Sequence, residues 1–158
     1  MTITAGKLMA GTLVLCGIGA GIGVWYTQNY AYYDRIDTPP ELSVQTADGA
    51  VPLAVGDFQG ITSDSSPLRF RACLTVDPGA FAGAEPYAAP TPLNPPGWFD
   101  CFDNAALTHD VEDGRAASYL MERDISPGFD RVIAVYPDGR AYIWHQANET
   151  AEESRTLE

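Results

Sequence analysis

Residues 130–146 read DRVIAVYPDGRAYIWHQ. Arg131 to Tyr136 and Arg140 to His145 are rich in Val, Ile, Tyr and Trp, side chains that suit a pleated, half-buried surface. Between them stand Pro137, Asp138 and Gly139, with proline and glycine where a type I turn followed by a bulge wants them. The stretch predicts an antiparallel hairpin and sets the fold class of the domain around it.

Further upstream, Leu42 to Thr46 and Ala50 to Val55 flank an Asp48-Gly49 pair, which predicts a second hairpin. From Pro67 to Val76 the residues alternate. Leu68, Phe70, Ala72, Leu74 and Val76 fall on one face, and Arg69, Arg71, Cys73 and Thr75 on the other, the pattern of a half-buried strand. Asp103 is placed to cap a short helix running from Asn104 to about Glu112, with Gly114 as its stop. Residues 115–122 stay open between helix and strand: Ala, Leu and Met favour the first, a position just before a hairpin the second. The expected fold class is α+β, a small, mainly antiparallel β domain over residues 41–147, closed by a polar, acidic and flexible tail at 148–158.

Between residues 78 and 97 stand Pro78, Pro86, Pro90, Pro92, Pro95 and Pro96, so regular structure is excluded over most of the segment. Cys73 precedes this loop and Cys101 follows it. A disulfide between them would close the loop and contribute on the order of 3 kcal/mol by restricting the unfolded chain. It also requires an oxidising compartment.

The third cysteine, Cys16, lies in LMAGTLVLCGIGAGIGVWY, residues 8–26, which carries no charge. At ~1.5 Å per residue this run crosses a hydrocarbon core of ~30 Å, and a transmembrane helix is expected there. Lys7 and the amino terminus precede it, whereas Asp34 and Arg35 are the first charges after it. The positive-inside bias therefore puts residues 1–7 in the cytoplasm and the domain outside. Trp25, Tyr26, Tyr30, Tyr32 and Tyr33 gather within residues 25–33 as interfacial anchors, ahead of a linker that ends at Asp37-Thr38-Pro39-Pro40. A cleaved signal peptide is the rival reading. Against it, the apolar run continues past Gly19-Ala20-Gly21 through Ile22, Val24 and Trp25. A lipoprotein signal would need a small residue where Leu15 precedes Cys16. Gly17 with Gly21, and Gly19 with Gly23, form overlapping small-xxx-small pairs that would let a second helix approach closely, either another copy or part of a larger complex.

A net charge of -12 argues against nucleic acid and anionic lipid as ligands and makes a basic partner the natural complement. His109, Asp110 and Glu112, with His145, are candidate metal ligands, but their spacing matches no defined ligand set, and no metal or other cofactor is expected. There is no Cys-x-x-Cys, P-loop, dinucleotide fingerprint or Gly-x-Ser-x-Gly, so no catalytic residues are assigned. Asp100 and Asp103 are candidates to pair with Arg69 and Arg71 once the disulfide joins their segments, a structural grouping. Asn148-Glu149-Thr150 is formally a glycosylation acceptor.

SSPLRFRAC at residues 65–73 and the 130–146 hairpin resemble a family of small membrane-anchored proteins from alphaproteobacteria with no assigned activity. The resemblance implies a bacterial inner membrane with the domain in the periplasm, and it supplies no catalytic residues. The function expected is that of a non-enzymatic accessory subunit of an integral membrane complex, with respiration as one setting and a basic periplasmic protein such as a c-type cytochrome as a partner for the acidic domain. The alternative is a membrane-anchored periplasmic assembly factor or chaperone that binds its client transiently.

Overall fold

The structure, a computed structural model, describes residues 4–151. The chain divides after Tyr32 into two compact units.

The first unit holds helix α1, Ala5–Asn29, three residues longer at each end than the run read from the sequence. No charged residue follows Lys7 within it, so nothing interrupts the apolar stretch. None of its residues is buried, and it is long and apolar enough to cross a membrane, a test that a signal sequence also passes. Its polar side chains turn back on its own backbone: Thr12 donates to the Leu8 carbonyl at 3.0 Å and Asn29 to that of Trp25 at 2.9 Å. This satisfies groups that would be costly to expose in hydrocarbon.

The second unit is an antiparallel β domain that carries a short helix between its strands. Its strands are β1 (Asp34–Ile36), β2 (Ser43–Thr46), β3 (Gly49–Pro52), β4 (Val55–Thr62), β5 (Arg71–Val76), β6 (Ala117–Ser126), β7 (Phe129–Val135) and β8 (Arg140–Ala147). Helix α2, Asn104–Glu112, lies between β5 and β6. Six strands form one sheet in the order β1-β4-β5-β8-β7-β6, and β2 pairs with β3 as a separate hairpin. β7 and β8 are joined through Pro137-Asp138-Gly139 as expected, with Gly139 at φ 89°. Asp103 caps α2 by accepting from the Ala106 amide at 3.0 Å. The Cys73–Cys101 disulfide is formed.

The central strands are covered on both faces. Phe70, Ala72, Leu74, Ile133, Val135, Ala141 and Ile143 pack beneath Leu42, Val44 and Leu53 of the β2–β3 hairpin and Phe81 of a short 3-10 turn, Pro78–Phe81. Cys73, Val132, Ala134 and Trp144 face the other way, onto Phe99, Phe102 and Leu107. Each large side chain so buried contributes ~1.5–3 kcal/mol. An antiparallel sheet more often leaves one face wet. Here the hairpin covers one side, while α2 and the segment carrying Cys101 cover the other.

Three expectations change, and one open segment is decided. The segment Pro67–Val76 is not one half-buried strand: Pro67–Arg69 is a 3-10 turn capped by Ser66, and β5 beyond it is buried on both faces, Arg71 included at 3% exposure. Residues 115–122, open between helix and strand in the sequence, enter β6 from Ala117 onward, because register with β7 outweighs their helical propensity. The folded unit begins at Tyr33, ahead of Glu41, because β1 pairs with β4. Ile36 seats over Gly60, where an added Cβ would stand 2.7 Å from its Cγ1. Tyr33 thereby packs within the domain, edge-on to Trp98 with ring centroids 6.1 Å apart. The tail does not start at 148: Asn148 is 5% exposed and hydrogen-bonded into the sheet, and residues 152–158 lie outside the described residues.

Candidate functional site

A polar concavity of the domain sits where the Pro-rich loop crosses the end of the sheet. It is a cleft of about 520 Å³ lined by Glu85, Tyr87, Arg123, Gln146, Asn148 and Glu149, together with residues of the Pro-rich loop. Asp130, the first polar residue of β7, lies beneath it with no exposed surface. Its carboxylate accepts from the Asn148 side chain at 2.8 Å, the Asp124 amide at 3.0 Å and the Tyr87 hydroxyl at 3.1 Å. The guanidinium of Arg123 stands 3.7 Å away. A buried carboxylate is tolerated only when its lone pairs are occupied in this way.

The same contacts build the local chain path. Asp124 adopts φ 51° at a register irregularity of β6, and its side chain accepts from the Gly128 amide and from Asn148. Asn148 in turn accepts from the Thr150 amide and hydroxyl. Gln146 ties the Pro-rich loop down: its Oε1 accepts from the Thr91 amide at 2.7 Å and the Trp144 indole at 2.9 Å, and its amide donates to the Ala89 carbonyl.

Electrostatically the cleft is negative. Arg123 meets three carboxylates: Glu85 at 3.2 Å, Asp130 at 3.7 Å and Glu149 at 3.7 Å. Burial pulls its pKa down, but the three carboxylates outweigh that and hold it above the ordinary value. Burial and the adjacent Asp130 push the Tyr87 hydroxyl well up, so it stays a hydrogen-bond donor. These groups can receive a cationic or amide-bearing ligand.

A second cleft, about 820 Å³, lies over the outer face of the β2–β3 hairpin. It is bounded by Pro39, Pro40, Pro52, Leu53, Val55 and Glu122.

The histidines are separated in role. His109 is exposed on α2, its Nδ1 3.4 Å from Asp113. Asp110 accepts the Tyr136 hydroxyl at 2.6 Å and pairs with Arg115 at 2.7 Å, which fastens α2 to the sheet. Glu112 is exposed at the helix end. His145 is buried, with Nδ1 2.8 Å from the Pro67 carbonyl, Nε2 accepting from Arg131 at 3.0 Å, and Phe70 stacked on its ring at 4.5 Å. Burial, reinforced by the charge of Arg131, pushes its pKa down to about 3, so it is neutral. Among the described residues no three or more His, Cys, Asp or Glu are grouped to hold a metal.

Arg71 does not pair with the aspartates. Its guanidinium donates to the carbonyls of Leu68, Phe70 and Leu93, and burial lowers its pKa to about 10, which leaves it charged. Asp103 is occupied as the cap of α2, and Asp100 is exposed. Arg69 donates to the Ser65 hydroxyl and lies over the Tyr33 ring at 5.3 Å. Asn148, the formal glycosylation acceptor, is buried with its amide engaged and is closed to that modification in the folded domain.

On α1, Gly17, Gly19, Gly21 and Gly23 have no atom within 4 Å of where a Cβ would stand. Trp25 and Tyr26 gather around Tyr30 at 5.4 and 6.0 Å between centroids, and Tyr32 is exposed.

Sequence reasoning missed Asp130, Tyr87, Arg123 and Gln146. Asp130 and Gln146 close the two strands of the quoted hairpin and read locally as ordinary strand ends; a lone tyrosine among the alanines and prolines of residues 82–92 was the one visible signal for Tyr87.

No characterised protein and no solved structure matches the chain. A family model does match, over residues 41–155, a span that holds every strand from β2 to β8, the disulfide and the polar cleft. The chain therefore belongs to a family of unknown function, DUF6446.

Proposed function

We propose that this protein is an accessory subunit of a larger membrane complex, held by α1 and presenting its acidic domain on the far side of the bilayer. The observation that carries this reading is α1 itself, 25 residues of which none is buried by the rest of the chain. An apolar helix with bare glycines along it gains most by packing on another helix, because close backbone approach is what drives association in lipid. The disulfide suits an oxidising compartment, so the domain belongs outside the cytoplasm, in the periplasm if the membrane is a bacterial inner membrane. A respiratory complex is one such host. The net charge of -12 favours a basic soluble partner, such as a c-type cytochrome, arriving by electrostatic steering that weakens with salt.

The half-apolar cleft over β2 and β3 favours a second reading, a membrane-anchored assembly factor that holds a client segment transiently.

Purification of the tagged full chain from its native membrane in mild detergent tests both. Stoichiometric companions that are lost on joint Gly17→Leu and Gly21→Leu substitution fit the subunit reading, and substoichiometric companions that survive it fit the assembly factor. A lone chain with no companions overturns both.

A further inference from the structure

Tyr33, Trp98, Arg35 and Arg69 come from three distant parts of the sequence and meet on one face of the domain. Arg35 lies over the Trp98 ring at 4.5 Å, Trp98 meets Tyr33 edge-on at 6.1 Å, and Arg69 lies over Tyr33 at 5.3 Å. The two rings are half-buried, and Arg35 is exposed on the edge strand β1. Other arginines of the domain are engaged by carboxylates: Arg115 by Asp110, Arg123 by Glu85, Arg131 by Glu122 and Arg140 by Asp138. Arg35 instead meets an aromatic face.

We propose that this patch is a phospholipid contact, in which Trp98 and Tyr33 sit at headgroup level and the guanidinium of Arg35 engages a headgroup phosphate. The inference rests on the reading of α1 as a membrane anchor. Two arguments choose lipid as the occupant. Tyr33 follows the last residue of α1 by four positions, and four residues span at most ~14 Å of chain, so the patch is tethered within reach of the interface where α1 would leave the bilayer. Its chemistry is also that of an interface: amphipathic rings prefer headgroup depth, and an arginine laid along a ring keeps its charge in the polar layer while its stem is covered. Asp34 and Asp100 are exposed beside Arg35 and Trp98 in the sequence, so the contact depends on partitioning and one guanidinium–phosphate pair rather than on net attraction. Added anionic lipid therefore does not strengthen it.

The test uses the full chain in phosphatidylcholine vesicles with Trp25→Phe, which leaves Trp98 and the fully buried Trp144 as the tryptophans. A nitroxide on the lipid headgroup is expected to remove about half of the Trp98 emission, as for a ring at interfacial depth. Arg35→Glu should restore most of that emission without lowering the melting temperature, and Arg35→Lys should keep most of the quenching. Quenching by aqueous iodide but not by the nitroxide would place Trp98 in water and overturn the proposal. Protection from both in native membranes would assign the face to a protein partner and overturn it equally. Carbonate extraction reports on the anchor separately: a chain that stays in the pellet while its Trp98 ignores the nitroxide refutes the lipid contact alone, and a chain that is extracted refutes the anchor.

Discussion

Arg131 donates its Nε–H to Nε2 of His145 at 3.0 Å, which fixes that ring as a neutral acceptor whose other nitrogen faces the Pro67 carbonyl. A proton on Nε2 would break the bond and place two cations together. The folded pKa of about 3 lies below the ordinary 6.5 of the unfolded chain. The stability conferred by the neutral ring is therefore complete above pH 6.5 and is lost as pH falls toward 3, at ~1.4 kcal/mol per pH unit while only the unfolded state takes up the proton. His145→Gln should remove this part of the acid sensitivity. Urea melts of both forms between pH 7 and pH 4 measure it, and parallel pH profiles would refute it.

Asp130 should be costly to truncate. Asp130→Ala removes the fully buried carboxylate that the Tyr87 hydroxyl, the Asn148 side-chain amide and the Asp124 backbone amide share as acceptor. We expect a loss of about 3–5 kcal/mol in chemical denaturation, the range for breaking one side of a buried charged network. A loss below ~1 kcal/mol, an ordinary surface value, would show that water replaces the carboxylate.

Reduction of the disulfide should destabilise without unfolding the sheet. Cys73 and Cys101 are 28 residues apart, and restricting a loop of that length contributes about 3.5 kcal/mol in the chain-entropy account. The double Cys73→Ser, Cys101→Ser variant should lose a similar amount. Far-UV dichroism should stay native, because β5 keeps its pairing with β4 and β8. Loss of the sheet signal under native conditions would instead make the bond a condition of folding.

Gly139 should not tolerate a side chain. Its φ is 89°, and an added Cβ would stand 2.8 Å from the Val76 carbonyl oxygen, which is backbone and has little room to yield. Gly139→Ala is expected to cost about 2–3 kcal/mol, from left-handed strain plus the contact. Gly97→Ala, with no atom near its Cβ position, serves as the neutral comparison. Equal melting temperatures for the two variants would refute the argument.

Much of the second unit was legible wherever a signal was local. Pro137-Asp138-Gly139 announced the turn that joins β7 to β8, and the oxygen of Asp103 announced the start of α2. What was not legible depended on partners far along the chain. The pleat of β5 was visible, yet its polar face looked wet; only the arrival of Phe99, Phe102 and Leu107 makes Cys73 and Arg71 interior. Residues 115–122 carried mixed propensity, and pairing with β7 made a strand of them from Ala117 onward.

The sequence by itself determined the apolar span, the hairpin at 130–146, the capped helix and the pairing of Cys73 with Cys101, because each rests on the intrinsic geometry of a short segment or, for the cysteines, on the exclusion of a third that lies in the apolar run. Only the tertiary structure decided that Asp130 and Asn148 are interior, that Tyr33 belongs to the domain, and that Trp98 meets Arg35. The reason is physical: whether a polar or aromatic side chain is solvated or packed is a property of the surface that covers it, and here that surface comes from segments with no local relation to the residue they cover.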